Sequence, residues 1–178
     1  VILKIFGIID MSKVAICGTS PTLRQAYLLD DSWNIWYLNH IYELAPQRIT
    51  KHFDLHSTQN YNNDHPYFKY LKENEIKLIL SKPDSRLPKA KLYPKDEIIA
   101  KYSDYFTCSM SWMIALAIEM GYNTIGLYGI DCSTTYELVK QKPSVLYFLG
   151  IAKANGINLV FPEGCQLFKK DKIYGEWS

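Results

Sequence analysis

From Lys13 onward, short apolar runs alternate with longer segments of helical pattern, and no other feature of the chain limits its fold so strongly. A strand that leads into a helix cannot pair with its successor as a hairpin. It pairs in parallel, across a crossover connection. The apolar runs are Val14 to Cys17, Trp33 to Leu38, His52 to His56, Lys77 to Leu80, Thr124 to Tyr128 and Asn158 to Phe161. Helical patterns fill the gaps. Ser20 caps and Pro21 opens a helix to about Leu29, and a short helix covers Tyr42 to Gln47. Others are expected from Pro66 to Leu71, Lys95 to Lys101, Ser109 to Met120, and Pro143 to Ala154. Ser109 to Met120 is apolar on nearly all sides, the mark of a helix buried at the centre of a molecule. Gly121 and Gly156 are placed to end their helices.

Two stretches carry no pattern. Ser57 to His65 is rich in Asn and Asp and reads as unstructured by packing, and Ser81 to Pro94 holds Pro83, Pro88 and Pro94 and reads as a surface loop. The tail after Pro162 reads as irregular. Together these features predict an α/β protein: a three-layer, Rossmann-like domain with a mostly parallel sheet. We expect a single domain over residues 13–168, preceded by a leader or extension (1–12) and followed by a tail (169–178). Val1 to Asp10 fits a signal peptide poorly, and Met11-Ser12-Lys13 has the look of a start.

Composition narrows the function classes. A chain of 178 residues buries roughly 70% of its unfolded surface without metal or disulfide staples. Lys plus Arg (20) almost balances Asp plus Glu (18), so a nucleic-acid partner held by phosphate neutralisation is not expected. No run approaches the ~20 apolar residues that span a bilayer. Cys17, Cys108, Cys132 and Cys165 form no C-x-x-C pair, and the expectation is reduced thiols in a cytoplasmic protein. The 14 tyrosines and 4 tryptophans suit a packed core and a pocket wall that stacks on a flat ligand.

Open parallel sheets bind ligands outside the carboxyl ends of their strands. The residues expected there are Gly18, Thr19, Ser20, Asn39, His56 and Asp131, with Thr107 and Ser109 at the start of the buried helix. Gly18 lets a ligand approach the backbone, and the amides around Ser20 and Pro21 suit a phosphate; the plain alternative is a tight strand-to-helix turn. The turn is not G-x-G-x-x-G, and no G-x-x-x-x-G-K-[ST] occurs. His56 reads as an acid, base or phosphate donor, or as a surface histidine. Asp131 reads as a contact to ribose or to a metal-bound phosphate, or as a cap. Glu137, Gln141 and Lys142 flank the following helix, at the mouth of the cleft or on solvated surface. His52 and His56 lie four apart on one strand face with no third ligand, so no metal site is expected.

Two segments carry a resemblance. Val14-Ala15-Ile16-Cys17-Gly18-Thr19-Ser20-Pro21-Thr22-Leu23 with Tyr37-Leu38-Asn39, and Phe106-Thr107-Cys108-Ser109 through Ala117 to Asp131, resemble blocks of bacterial sialyltransferases that use CMP-sialic acid. The layout is also similar to hydroxymethylpterin diphosphokinase-like (MptE-like) proteins. Over most of residues 13–167 it resembles a group of small bacteriophage proteins of unassigned function. What the sialyltransferase resemblance implies is a CMP-holding pocket at Gly18, Thr19, Ser20, Asn39, Thr107, Ser109, Gly129, Ile130 and Asp131. The chain departs from that pattern in having Ser20 for a glycine and Cys108 in a T-S-G segment. It also lacks a histidine in the segment after Asp131, where those enzymes carry a lid.

The expected function is therefore binding of a nucleotide-containing small molecule. The leading activity is a transferase using a nucleotide-activated donor, glycosyltransferase-like, with His56 and Asp131 as catalytic candidates. No cofactor beyond the nucleotide is implied. A catalytically silent phage protein that sequesters a host nucleotide signal, a cyclic nucleotide or ADP-ribose derivative, is the alternative. A diphosphokinase, with Asp131 and Asp54 or Glu137 on Mg²⁺, stands third. A homo-oligomer is left open, with Tyr174, Trp177 and the Ser81–Pro94 loop as surfaces for a second subunit.

Overall fold

A computed structural model describes residues 13–38, 42–44, 48–132 and 136–168, with backbone alone at 136–138. Seven parallel strands form one sheet: β1 (Lys13–Cys17), β2 (Trp33–Leu38), β3 (Lys51–Asp54), β4 (Leu78–Leu80), β5 (Lys91–Leu92), β6 (Thr124–Tyr128) and β7 (Asn158–Val160). Their spatial order is β5-β4-β3-β2-β1-β6-β7. The chain thus walks outward from β1 to β5, then returns across the sheet to lay β6 on the free side of β1. Cys17 pairs with Tyr37 on one side and with Tyr128 on the other. The direction of winding reverses between β1 and β6, and the crevice that a doubly wound sheet leaves open lies there.

Each strand alternates its side chains between two helical layers. Val14, Ile16, Trp36, Leu38, Phe53, Ile79, Ile125 and Leu127 face one layer: α2 (Lys95–Lys101), α3 (Ser109–Glu119) and α4 (Tyr136–Ala154). The opposite face divides in two. Ala15, Cys17, Ile35 and Tyr37 pack under a 3₁₀ helix, Pro21–Leu28, while Leu78 and Leu80 pack under α1 (Pro66–Glu73). The layered α/β reading is what the structure shows. Met113 to Ala117 in α3 are fully buried, as expected of a helix apolar on all sides.

Five local expectations are corrected. The first helix is 3₁₀, not α. Its inward residues are Leu23, Ala26 and the partly buried Leu29, and that spacing of three matches three residues per turn rather than 3.6. β3 stops at Asp54, so His56 stands in the loop and does not share a strand face with His52. Lys77 belongs to a 3₁₀ turn, Glu75–Lys77, and not to β4. β5 lies within the segment read as loop; both of its residues are exposed, so no apolar alternation announces it.

The last helix begins at Tyr136, about two turns before Pro143. Proline removes the hydrogen bond to the carbonyl four residues back, here that of Val139. Val139 is 51% exposed, so water can satisfy its carbonyl and the helix continues through. Gln141 and Lys142 therefore lie within α4 rather than beside it, as does the backbone of Glu137, whose side chain is outside the described atoms.

The polar stretch from Ser57 to His65 is held by hydrogen bonds where packing is lacking. Arg86 donates to the carbonyls of Thr58 (3.0 Å) and Tyr61 (2.7 Å), and Thr58 Oγ1 donates to Asp84 (2.8 Å). Arg86 also pairs with Asp84 at 2.6 Å and covers the Phe68 ring at 4.1 Å. Two segments without periodicity thus fix each other. No helix among the described residues is long and apolar enough to cross a membrane.

Candidate functional site

The crevice between β1 and β6 is built from two glycine turns in contact. A Cβ placed on Gly18 would lie 2.4 Å from the Gly129 carbonyl oxygen, and one placed on Gly129, whose φ is +69°, would lie 2.9 Å from the Gly18 carbonyl. Only glycine fits at either place. Hydrogen bonds join the two turns: Gly18 N–H to Tyr128 O (2.8 Å), Ser20 N–H to Gly129 O (2.9 Å), and Gly129 N–H to Thr22 Oγ1 (3.1 Å). Gly18, Ser20, Gly129 and Ile130, far apart in the chain, are thereby brought together. The expected phosphate cradle is corrected at one point. The Ser20 amide already serves Gly129, and the Ser20 side chain makes no capping bond. Thr19 is exposed at the rim.

Asp131 follows directly and is buried, with 6% of its surface exposed. One of its oxygens accepts the Gln166 amide at 3.2 Å, which ties the returning segment 162–168 to the end of β6. That is the capping role among the three readings of this residue. Next to it, Cys132 adopts φ +50°, a left-handed conformation unusual for a side-chain-bearing residue. Burial pushes its thiol up to about 12; Cys108, Asp131 and Cys165 add to that, and the Lys142 charge opposes it. Lys142 and Cys108 are thus near enough for their charges to be felt at Cys132. All four cysteines are free.

Thr107 and Ser109 stand at the start of α3, beside this end of the sheet. Ser144 of α4 fixes the approach, accepting from the Thr107 amide (3.4 Å) and donating to the Tyr105 carbonyl (2.7 Å). Thr107 is exposed and Ser109 half-buried. Gln141 is half-buried on α4. Asn39 lies outside the described residues.

His56 does not join this group. It follows β3, three strand positions from β6, or about 14 Å at the usual strand spacing. His56 and Asp131 thus follow different strands of the sheet. The partner of His56 is Asp54, which the sequence offered only as a metal ligand: it is 2% exposed, and its Oδ1 accepts the His56 amide at 3.1 Å and lies 3.9 Å from His56 Nδ1. The His56 side chain itself is 66% exposed. Asp54 Oδ2 accepts the Tyr67 hydroxyl at 2.9 Å, and Tyr67 Oη lies 3.1 Å from Nε2 of the buried His52. His52 and Asp54 are two apart on β3 and so face α1 together. Tyr61 lies against the rings of His65 and Tyr67, and Tyr42 stacks on Tyr67 and Tyr70. The available signal was the H-x-D-x-H spacing across a strand end. Tyr67 comes from a separate helix, and no local pattern reveals it.

A cavity of about 800 Å³ opens along the same edge, at the ends of β4 and β5, lined by Gln59, Leu80, Asp84, Arg86 and Leu92 among others. Ser81 at its side donates to the His56 carbonyl at 3.3 Å. Among the described residues, no group of three or more His, Cys, Asp or Glu side chains is placed to hold a metal ion.

No protein-family model matches the chain, and no curated protein matches it. Solved structures do match. The chain is similar to the sialyltransferase CstII from Campylobacter jejuni in complex with cytidine-5'-monophosphate, at 20% identity and a TM-score of 0.58, over 87% of this chain and 80% of that one. It is similar to CstII in complex with CMP-3FNeuAc, at 22% identity and TM-score 0.59, over 87% and 81%. The monofunctional alpha-2,3-sialyltransferase Cst-I from the same organism matches at 18% identity and TM-score 0.60, over 90% and 79%. At these identities the likeness is one of fold: this chain has a sialyltransferase-like α/β architecture.

Proposed function

We propose that the chain binds a nucleotide-containing small molecule at the β1–β6 crevice and transfers a group from it, as a glycosyltransferase-like enzyme. The observation that carries this reading is the pair of interlocked glycine turns, Gly18 and Gly129, at the reversal of the sheet. Parallel sheets bind ligands at such a reversal, and structures of the same fold hold CMP and CMP-3FNeuAc. Thr107, Ser109 and Lys142 supply hydroxyls and a cation for the phosphate. The donated group extends along the carboxyl edge toward β3, where His56 takes the proton of the acceptor hydroxyl. The acceptor oxygen bonds to the anomeric carbon as the bond from that carbon to the phosphate oxygen breaks, and the nucleotide leaves with the electron pair. The cavity beyond His56 is the room assigned to the acceptor.

One observation favours a second reading, a catalytically silent binder that sequesters a nucleotide signal. His56 and Asp131, the two sequence candidates for catalysis, end different strands three positions apart. Mass spectrometry on a panel of CMP-sugars, ADP-ribose, NAD, cyclic dinucleotides and ATP with Mg²⁺ decides between them. The transferase reading expects a donor converted to its nucleotide and a transferred product, with conversion lost in His56→Ala. A compound depleted from solution and returned intact on heating makes the protein a binder and removes His56 from any catalytic role.

A further inference from the structure

We infer that Asp54 is the positioning residue for His56, and that it is held in that role by a directed hydrogen-bond chain through Tyr67 and His52. This rests on the transferase reading for its catalytic meaning, though not for its geometry. Asp54 is a carboxylate with 2% of its surface exposed. Among the described ion pairs its only partner is His56. A buried carboxylate without a permanent counter-ion is costly, and it persists where hydrogen bonds hold its charged form.

Here those bonds have a fixed direction. Burial, and then the Asp54 charge, keep the Tyr67 phenol well above its ordinary range, so Tyr67 stays protonated and donates to Oδ2. Tyr67 oxygen must then accept from His52, which places the His52 proton on Nε2. Tyr70 Oη, 3.5 Å from His52 Nδ1, is on the accepting side of that ring. The other oxygen, Oδ1, is anchored by the His56 amide and faces the His56 ring on its Nδ1 side. At 3.9 Å the carboxylate favours a ring proton on Nδ1 over one on Nε2, which leaves Nε2 to take a proton from an acceptor. When it does so, the imidazolium forms beside a carboxylate that the His56 amide and the Tyr67 hydroxyl already orient.

Two measurements test this. The first needs no substrate: the rate at which diethyl pyrocarbonate modifies each histidine of the full chain, read by peptide mass spectrometry. His65 is the internal control, since it is exposed and its Nδ1 is occupied as the helix cap by the Tyr67 amide. Asp54→Asn and Tyr67→Phe are each expected to slow His56 several-fold and leave His65 unchanged. Tyr67→Phe keeps the ring packing and decides the question if Asp54→Asn fails to fold. An unaltered His56 rate overturns the proposal.

The second is turnover of whichever donor the panel identifies. Asp54→Asn is expected to lower kcat by about 100-fold with KM unchanged, and to lower it no further in a His56→Ala background. Additive losses would mean that Asp54 acts on the fold and not through His56, and would overturn it. If wild type converts no donor while the His56 rate still falls in both variants, the transferase reading fails and the coupling of Asp54 to His56 stands.

Discussion

Replacing Gly18 with alanine isolates the contact on which the crevice is built. The added methyl would meet Gly129 O at 2.4 Å, Ile130 Cγ1 at 2.9 Å and Gly129 C at 3.2 Å. Two of these are backbone atoms, and they cannot retreat freely. Gly129 O is bonded to the Ser20 amide, and the Gly18 amide is bonded to Tyr128 O. Relief requires separating the two turns, so the overpacking cost of about 1–3 kcal/mol is joined by a hydrogen bond worth about 1 kcal/mol. The sum, about 2–4 kcal/mol, corresponds to a melting temperature lower by roughly 5–15 °C for a chain of this size.

Gly150→Ala is the matched control. That glycine lies in α4, and a Cβ there meets nothing within 4 Å. Alanine in a helix is favoured over glycine by about 0.5–1 kcal/mol, so this variant should melt roughly 1–4 °C higher. Thermal unfolding followed by circular dichroism reads both. A Gly18→Ala protein within about 0.5 kcal/mol of wild type would show that the turns do not touch as described. A Gly150→Ala protein that is also destabilised would remove the steric explanation for either.

Two further predictions concern charge. Lys51 is 9% exposed, and burial, with the neighbouring Lys91 charge, pulls its amine down to about 8. Between pH 8 and the unfolded value of 10.5 the unfolded chain binds the extra proton, so wild-type stability rises with pH across that window. Lys51→Met should therefore melt higher than wild type at pH 7, with the gap closing toward pH 10.5; a gap independent of pH would contradict the argument. The Arg86 hydrogen bonds hold the Asp84 carboxyl well below its ordinary range. Its contribution is whole above an unfolded value of about 3.9 and is lost as pH falls through the folded value. Arg86→Lys should cost about 2 kcal/mol in denaturant melts at pH 7, and less once the pH falls below the unfolded carboxyl value of about 3.9; an equal loss above and below that value would refute it.

The legible part of this molecule is the part governed by local rules. Apolar runs such as Trp33–Leu38 and Thr124–Tyr128 state their own burial, and Gly121 ends α3 by a rule that needs no tertiary contact. β5 stayed hidden because Lys91 and Leu92 bury nothing that a pattern could show. Pro143 misled because its effect depends on whether Val139 faces water, which only the packed structure decides. In the crevice, Gly18 and Asp131 could be placed at strand ends from sequence. That the Ser20 amide and one Asp131 oxygen are already engaged could not, since their partners, Gly129 and Gln166, come from distant segments. The same holds for Asp54, whose meaning depends on a tyrosine from α1.

The return of the chain across its own sheet sets an order of events during synthesis. Val14 to Cys17 leave the ribosome early, but their β6 partners, Ile125 to Tyr128, follow more than a hundred residues later. At about 5–20 residues per second that is a delay of roughly 5–20 s, during which a strand whose residues Val14 to Cys17 end fully buried has one open flank. The nascent chain can close β2, β3 and β4 onto β1 in that interval, yet the crevice does not exist until β6 arrives. A ligand of that crevice can act only after Tyr128 has emerged, and a chain truncated before residue 124 presents a sticky half-sheet to its surroundings.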